Sequence, residues 1–277
     1  MQLAEQQVGV FKTFGFLRFP SLFSGEIGRI TDAFEAVWAG RGGGHAGKPH
    51  DGKARSAIVP FIDQHERLCA LLDDPRITGI AGALLGDDFN YNSSDGNYYV
   101  GDTPWHSDGW RTNGYVHIKM AFYLDPVGRD SGCLRVIPGS CQPGDVFSDR
   151  VQKQIRQVQE LWGMLGQDVP AIPLETQPGD LILFNHNLKH ASFGGGNRRR
   201  MFTINLSQRY REEDLAELRQ TIGGLSRFWI DRVYSDTMVR TASPARMRHL
   251  EQVMANDGHL AELSRQARER MAEPSRG

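Results

Sequence analysis

Over residues 116–125 the side chains interleave strictly: Val116, Ile118, Met120, Phe122 and Leu124 stand between His117, Lys119, Ala121, Tyr123 and Asp125. Successive side chains of a strand point to opposite faces, so this pattern demands a sheet with one strongly apolar face. The same period returns at 201–206, where Phe202, Ile204 and Leu206 alternate with Met201, Thr203 and Asn205. LRVIPGS (134–140) and GDLILF (179–184) read as further short strands between Gly/Pro turns. Several short strands punctuated in this way, over about 89–208, predict an antiparallel sandwich or barrel. Residues 150–165 fit a helical insertion within it.

On either side of this region the period lengthens. Ser24 is the expected N-cap of a helix carrying Ile27, Ile30, Phe34, Val37 and Trp38. Residues 40–56 are rich in glycine and read as a flexible loop, placed to act as a lid supplying Lys48, Arg55 or His50. A second helical unit is expected over 66–85. Beyond 210 the chain reads as helical and charged, with Ser243-Pro244 opening a helix whose Met and Leu stripe suits packing or a homodimer surface.

At 277 residues, one enzyme domain with helical additions is the expected organisation: residues 1–210 as the domain, 211–277 as a helical extension packed on it. The net charge of -1 selects neither nucleic acid nor a membrane surface as partner. Cys69, Cys133 and Cys141 form no even framework, and no secretory leader or membrane span is evident, so a cytoplasmic location is expected.

The chemistry concentrates at His106-Ser107-Asp108. On a strand, residues i and i+2 share a face, so an imidazole and a carboxylate stand side by side as two metal ligands require. A third ligand from a neighbouring strand leaves three positions open, the arrangement that suits Fe(II) and oxygen. His186 and His190 are the candidates. A strand over 181–184 followed by a turn favours His190 and leaves His186 as a supporting or surface group. Trp110 and Arg111 follow the motif closely enough to line a pocket. Cys133 and Cys141 flank a turn and read as inert.

Taken in order, WHSD (105–108), SGCLRVIPGS (131–140), PGDLILF (178–184) and HAS (190–192), preceded by GFLRFPSLFSGEIGRITDAFEAV, resemble the phytanoyl-CoA dioxygenase family. The resemblance covers most of 14–208 and implies a mainly β fold, a double-stranded β-helix (jelly roll, cupin-like) with helices on one sheet. It implies Fe(II) on His106, Asp108 and His190. It implies 2-oxoglutarate and O2 as cosubstrates, with succinate and CO2 released as a small molecule is hydroxylated or otherwise oxidised. The family's carboxylate-binding arginine falls about ten residues past the last histidine, where Arg198, Arg199 and Arg200 compete. If Phe202, Ile204 and Leu206 meet the helices, Arg199 faces inward and is preferred, with Arg200 second; a planar guanidinium suits a carboxylate better than lysine does. Ser192 shares the face of His190 and is a further candidate cosubstrate contact. Lys119 is another, although a lysine there departs from the family and is more often a surface residue. Halogenating relatives lack the carboxylate, so Asp108 points to oxygenation. Rivals are a cupin-like metalloenzyme without 2-oxoglutarate, or a catalytically silent member of the fold. The substrate is expected to be compact and polar or anionic, since basic residues cluster near the expected mouth.

Overall fold

The computed structural model describes residues 2–110 and 114–277. In chain order the helices and strands are α1 (Glu5–Phe14), β1 (Phe16–Phe19), α2 (Ile27–Gly40), β2 (Ser56–Ile58), α3 (Glu66–Cys69), α4 (Pro75–Leu85), β3 (Asn90–Tyr99), β4 (Thr103–His106), β5 (His117–Tyr123) and β6 (Leu134–Val136). They continue with α5 (Val146–Gln154), α6 (Val158–Trp162), β7 (Ile172–Leu174), β8 (Leu181–Asn185), β9 (His190–Ser192), β10 (Arg199–Ser207), α7 (Leu215–Gly223), α8 (Asp236–Arg240), α9 (Pro244–Ala255) and α10 (Leu260–Arg270). The strands form two antiparallel sheets, one ordered β1-β8-β5-β10-β3-β2 and the other β4-β9-β6-β7. The expected jelly-roll sandwich with flanking helices is the architecture that forms.

Alternation on β5 and β10 decides which way the larger sheet faces. Phe122 and Phe202 are register partners whose rings stack at 4.6 Å. With Ile118, Met120, Ile204 and Leu206 they enter a core shared with α2, α4, α7 and α9. The opposite face, carrying Lys119, Tyr123, Arg199, Met201 and Thr203, lines a cavity between the two sheets. One glycine makes this packing possible. Gly96 pairs with Phe202 across β3 and β10, and a Cβ there would fall 1.9 Å from the Phe61 ring.

Several local expectations are corrected. α1 was not anticipated; it buries Phe11 and ends at Gly15, whose φ is 84°. Ser24 is not an N-cap: its hydroxyl donates to Ser21 O at 3.0 Å, in a turn that precedes α2. The loop over 40–56 is not a loose connector. His45 is buried there, with ring nitrogens 3.3 Å from Ala57 O and 2.9 Å from Pro274 O. By contrast Ser243 caps α9 as expected, accepting from Arg246 N, and Leu250 and Val253 of that helix are buried in the main core. All three cysteines are free and buried; burial pushes the Cys133 and Cys141 thiols up to about 11, in line with inert thiols. Among the described residues no helix is long and apolar enough to cross a membrane.

Candidate metal centre

β4 runs antiparallel to β9 with His106 directly opposite His190. Asp108 lies two residues beyond His106, and one ligand atom from each of the three lies within 4.8 Å of the others. Asp108 Oδ2 is 3.8 Å from His190 Nε2. The two imidazoles are held alike: His106 Nδ1 lies 2.8 Å from Pro104 O, and His190 Nδ1 lies 2.9 Å from Leu188 O. A carbonyl oxygen only accepts, so each ring carries its proton on Nδ1 and keeps the lone pair on Nε2. Burial pulls His190 down to about 3 and lowers His106 as well, so both rings are neutral at pH 7. Two neutral imidazoles and one carboxylate, opening onto a cavity of about 1060 Å³, form a donor set suited to a divalent iron with vacant positions.

Lys119 is not a surface lysine. Its Nζ lies 3.0 Å from Asp108 Oδ2, and its side chain is 15% exposed. Burial alone would raise the Asp108 carboxyl, but Lys119 and then the histidines outweigh it and hold it far below the usual carboxylate range. Lys119 thus keeps the Asp108 carboxylate ionised and fixes its position.

The three consecutive arginines part company at β10. Arg200 donates to Asp125 from Nε at 3.0 Å and to Glu35 from Nη1 at 2.9 Å, on the helix-facing side. Arg198 pairs with Glu35 at 3.1 Å. Arg199 points into the cavity, is 6% exposed, and its Nε and Nη1 have no hydrogen-bond partner. Gly132 opens the slot it occupies: its φ is +90°, and a Cβ there would lie 1.7 Å from Arg199 Nη1. A buried guanidinium with unsatisfied donors is costly alone and is completed by a carboxylate. Ser192 is also buried in the cavity wall, where its hydroxyl donates to Gly132 O at 3.0 Å.

The remaining candidates divide. Arg55 lines the cavity, over the Tyr99 ring at 4.2 Å. Lys48 is exposed and outside the cavity lining, because the turn at His45–Gly47 directs it to solvent. Trp110 also falls outside that lining: its ring is engaged by Lys189 Nζ at 3.9 Å. Arg111 lies outside the described residues. His186 is no surface group; it is buried in the cavity wall, its ring 5.7 Å from that of His117. Asp95 and Tyr99 of β3 also line the cavity and were not anticipated. β3 is polar and buried on both faces, so its sequence shows no clean period; the pairing of Asp95 with Thr203 is what reveals its inward side.

The comparisons agree with this geometry. The sequence profile of the phytanoyl-CoA dioxygenase family matches residues 11–201. A curated 2-aminoethylphosphonate dioxygenase from the uncultured bacterium HF130_AEPn_1 is 30% identical over 158 residues, which is 52% of this chain and 56% of that protein. The chain therefore matches little more than half of that relative's length. Among solved structures, the non-haem alpha-ketoglutarate-dependent carbocyclase SnoK of nogalamycin biosynthesis superposes with a TM-score of 0.57 at 18% identity, over 74% of this chain and 84% of that one. EctD from S. alaskensis gives a TM-score of 0.57 at 22% identity, over 74% and 77% of the two chains. These likenesses establish the shared fold. With the profile spanning more than half of the sequence, the chain belongs to the phytanoyl-CoA dioxygenase family.

Proposed function

We propose that this protein is a non-haem Fe(II)- and 2-oxoglutarate-dependent dioxygenase that hydroxylates, or otherwise oxidises, a small molecule and releases succinate and CO2. The observation that carries the reading is the conjunction, in one cavity, of the His106–Asp108–His190 cluster with the unpartnered Arg199 guanidinium. Iron(II) held by the cluster would supply O2 activation coupled to oxidative decarboxylation of the keto acid.

The chain's own residues do the rest. Pro104 O and Leu188 O fix the two imidazoles with Nε2 available as ligand. Lys119 holds Asp108 ionised, so the third ligand needs no deprotonation to bind. Arg199 pairs with the distal carboxylate of 2-oxoglutarate, and Ser192 assists once its hydroxyl turns from Gly132 O. Arg200 does not compete, being engaged by Asp125 and Glu35. Tyr123, Phe184 and Met201 give that end apolar walls that limit water. We take residues 1–210 as the oxygenase domain and 211–277 as an extension packed on it.

The substrate is read as compact and polar or anionic. The relative named for 2-aminoethylphosphonate supports this choice, as do the arginines around the cavity. The test is anaerobic addition of Fe(II) and 2-oxoglutarate, followed by O2. A weak visible charge-transfer band and succinate release are expected. If neither appears, the cupin-like reading without 2-oxoglutarate replaces this one.

A further inference from the structure

Part of the cavity wall comes from beyond the family match, which ends at residue 201. Thr221 of α7, then Leu225, Arg227 and Phe228 in the turn that follows, line it together with Val253 of α9. Arg227 is exposed at this rim, and among the described residues it has no carboxylate partner. Partial desolvation at the cavity mouth, and then Arg55, lowers its pKa, while Asp108 and Asp95 act in the other direction. Its side chain and that of Arg55 line the same cavity. Arg55 is partly committed: Nε and Nη2 donate to Asn97 Oδ1 at 2.9 and 2.7 Å, Asp95 lies 3.7 Å away, and Gly277 packs close against the guanidinium. Asp95 carries a single charge that Lys119 and Arg55 already share, so it does not neutralise both arginines.

Two guanidiniums on one cavity repel, and the repulsion is stronger where water is partly excluded. The C-terminal segment holds them in place. Ser275 N donates to Arg227 O at 2.8 Å, and Arg276 Nη1 donates to Arg55 O at 2.7 Å. Pro274 O lies 2.9 Å from His45 Nε2, in the loop that leads to Arg55. One short strap thus ties the backbones of both arginines, although they are far apart in sequence. Arg199 sits in its slot by Gly132, 5.1 Å from the Tyr99 ring that Arg55 covers at 4.2 Å.

We infer that Arg55 and Arg227, joined by residues 274–276, form an oxyanion-binding end of the cavity. It takes a compact molecule that carries a terminal phosphonate, phosphate or carboxylate. For what becomes of that molecule the inference rests on the oxygenase reading; for its binding it does not.

The test titrates the full chain calorimetrically with methylphosphonate, inorganic phosphate and acetate. It is run anaerobically with Fe(II) and saturating 2-oxoglutarate, and again on metal-free protein without the keto acid. At least one anion is expected to bind, and Arg227→Gln should weaken it about tenfold, as loss of a charge-assisted contact does. Arg227→Lys should retain most of the binding, and Arg198→Gln, on the other side of the sheet, should stay within about twofold. Arg55→Gln should match Arg227→Gln, with its melting temperature checked because Asn97 also loses a partner. Which anion binds distinguishes a phosphoryl from a carboxyl site. The inference is overturned if no anion binds, if Arg227→Gln binds like the parent, if Arg198→Gln weakens binding equally, or if Arg227→Gln weakens 2-oxoglutarate instead. Anion binding that persists without iron and keto acid, and that Arg227→Gln still weakens, supports the site even if succinate is never released. Succinate release with unaltered Arg227→Gln binding keeps the oxygenase and removes the site.

Discussion

The two ends of the cavity are built by different means. The inner end stands on paired strands: His106 and His190 face each other across one ladder, and Lys119 and Arg199 project from neighbouring strands of the other sheet. The outer end stands on a loop, a turn and the C-terminal strap, with Arg55 and Arg227 held through their backbones. Strand pairing fixes side-chain direction to within a residue, so it suits a metal that tolerates little displacement. Loops change more freely at little cost to the core, so they suit the part that selects a substrate. Under the proposed function, chemistry and selection are separated along one cavity.

That contrast can be broken at its strongest point first. His106→Ala or His190→Ala should abolish Fe(II) binding and lower succinate release by at least about 100-fold, whereas Arg227→Gln should leave Fe(II) binding intact. Metal analysis and succinate assays on the same preparations check both.

Next, Arg199→Met should raise the apparent KM for 2-oxoglutarate roughly 10- to 100-fold, the scale of one charge-assisted pair. Arg200→Met should leave that KM within about twofold, yet lower Tm by a few degrees through loss of its Asp125 and Glu35 partners. Equal KM effects would mean that the strand face does not decide cosubstrate binding.

Gly132→Ala sharpens the same point without touching a charged group. Its φ of +90° and the 1.7 Å approach to Arg199 predict weakened 2-oxoglutarate binding, about tenfold, with Fe(II) affinity retained.

A smaller effect concerns how the extension is anchored. Asp63 is fully buried, is bonded by Tyr91, and accepts from Ser235 N of the extension; burial pushes its carboxyl up to about 7. A carboxyl whose folded pKa is raised contributes stability fully present below its unfolded value near 4, and lost as pH rises through 7. Tm should therefore fall between pH 5 and pH 8 more steeply in the parent than in Asp63→Asn, when both are measured by calorimetry. Parallel curves would show that Asp63 does not carry the slope. Smallest of all, Lys48→Ala should leave turnover within about twofold, since Lys48 lies outside the cavity.

How much was legible beforehand follows the same division. The sheet faces, the i, i+2 ligand pair and the preference for Arg199 over Arg200 all came from short-range alternation, which needs only adjacent residues. Asp95 escaped because β3 is buried on both sides, so no period marks its inward face. Lys119 was undervalued because a lysine on a polar face is usually solvated, and only its 3.0 Å contact with Asp108 shows why this one is not. Trp110 was placed near the pocket by sequence proximity, but Lys189 engages its ring outside the lining.

By itself the sequence determined the period-two sheet, the side-by-side placing of His106 and Asp108 and which of three adjacent arginines faces the cavity, since each is a property of neighbouring residues on one strand. Only the tertiary structure decided that His190 meets His106 across a ladder, that Lys119 reaches Asp108, and that residues 274–276 bring Arg55 and Arg227 to one rim. Those contacts join segments well separated in the chain, and sheet pairing and core burial create them in space without leaving a local pattern.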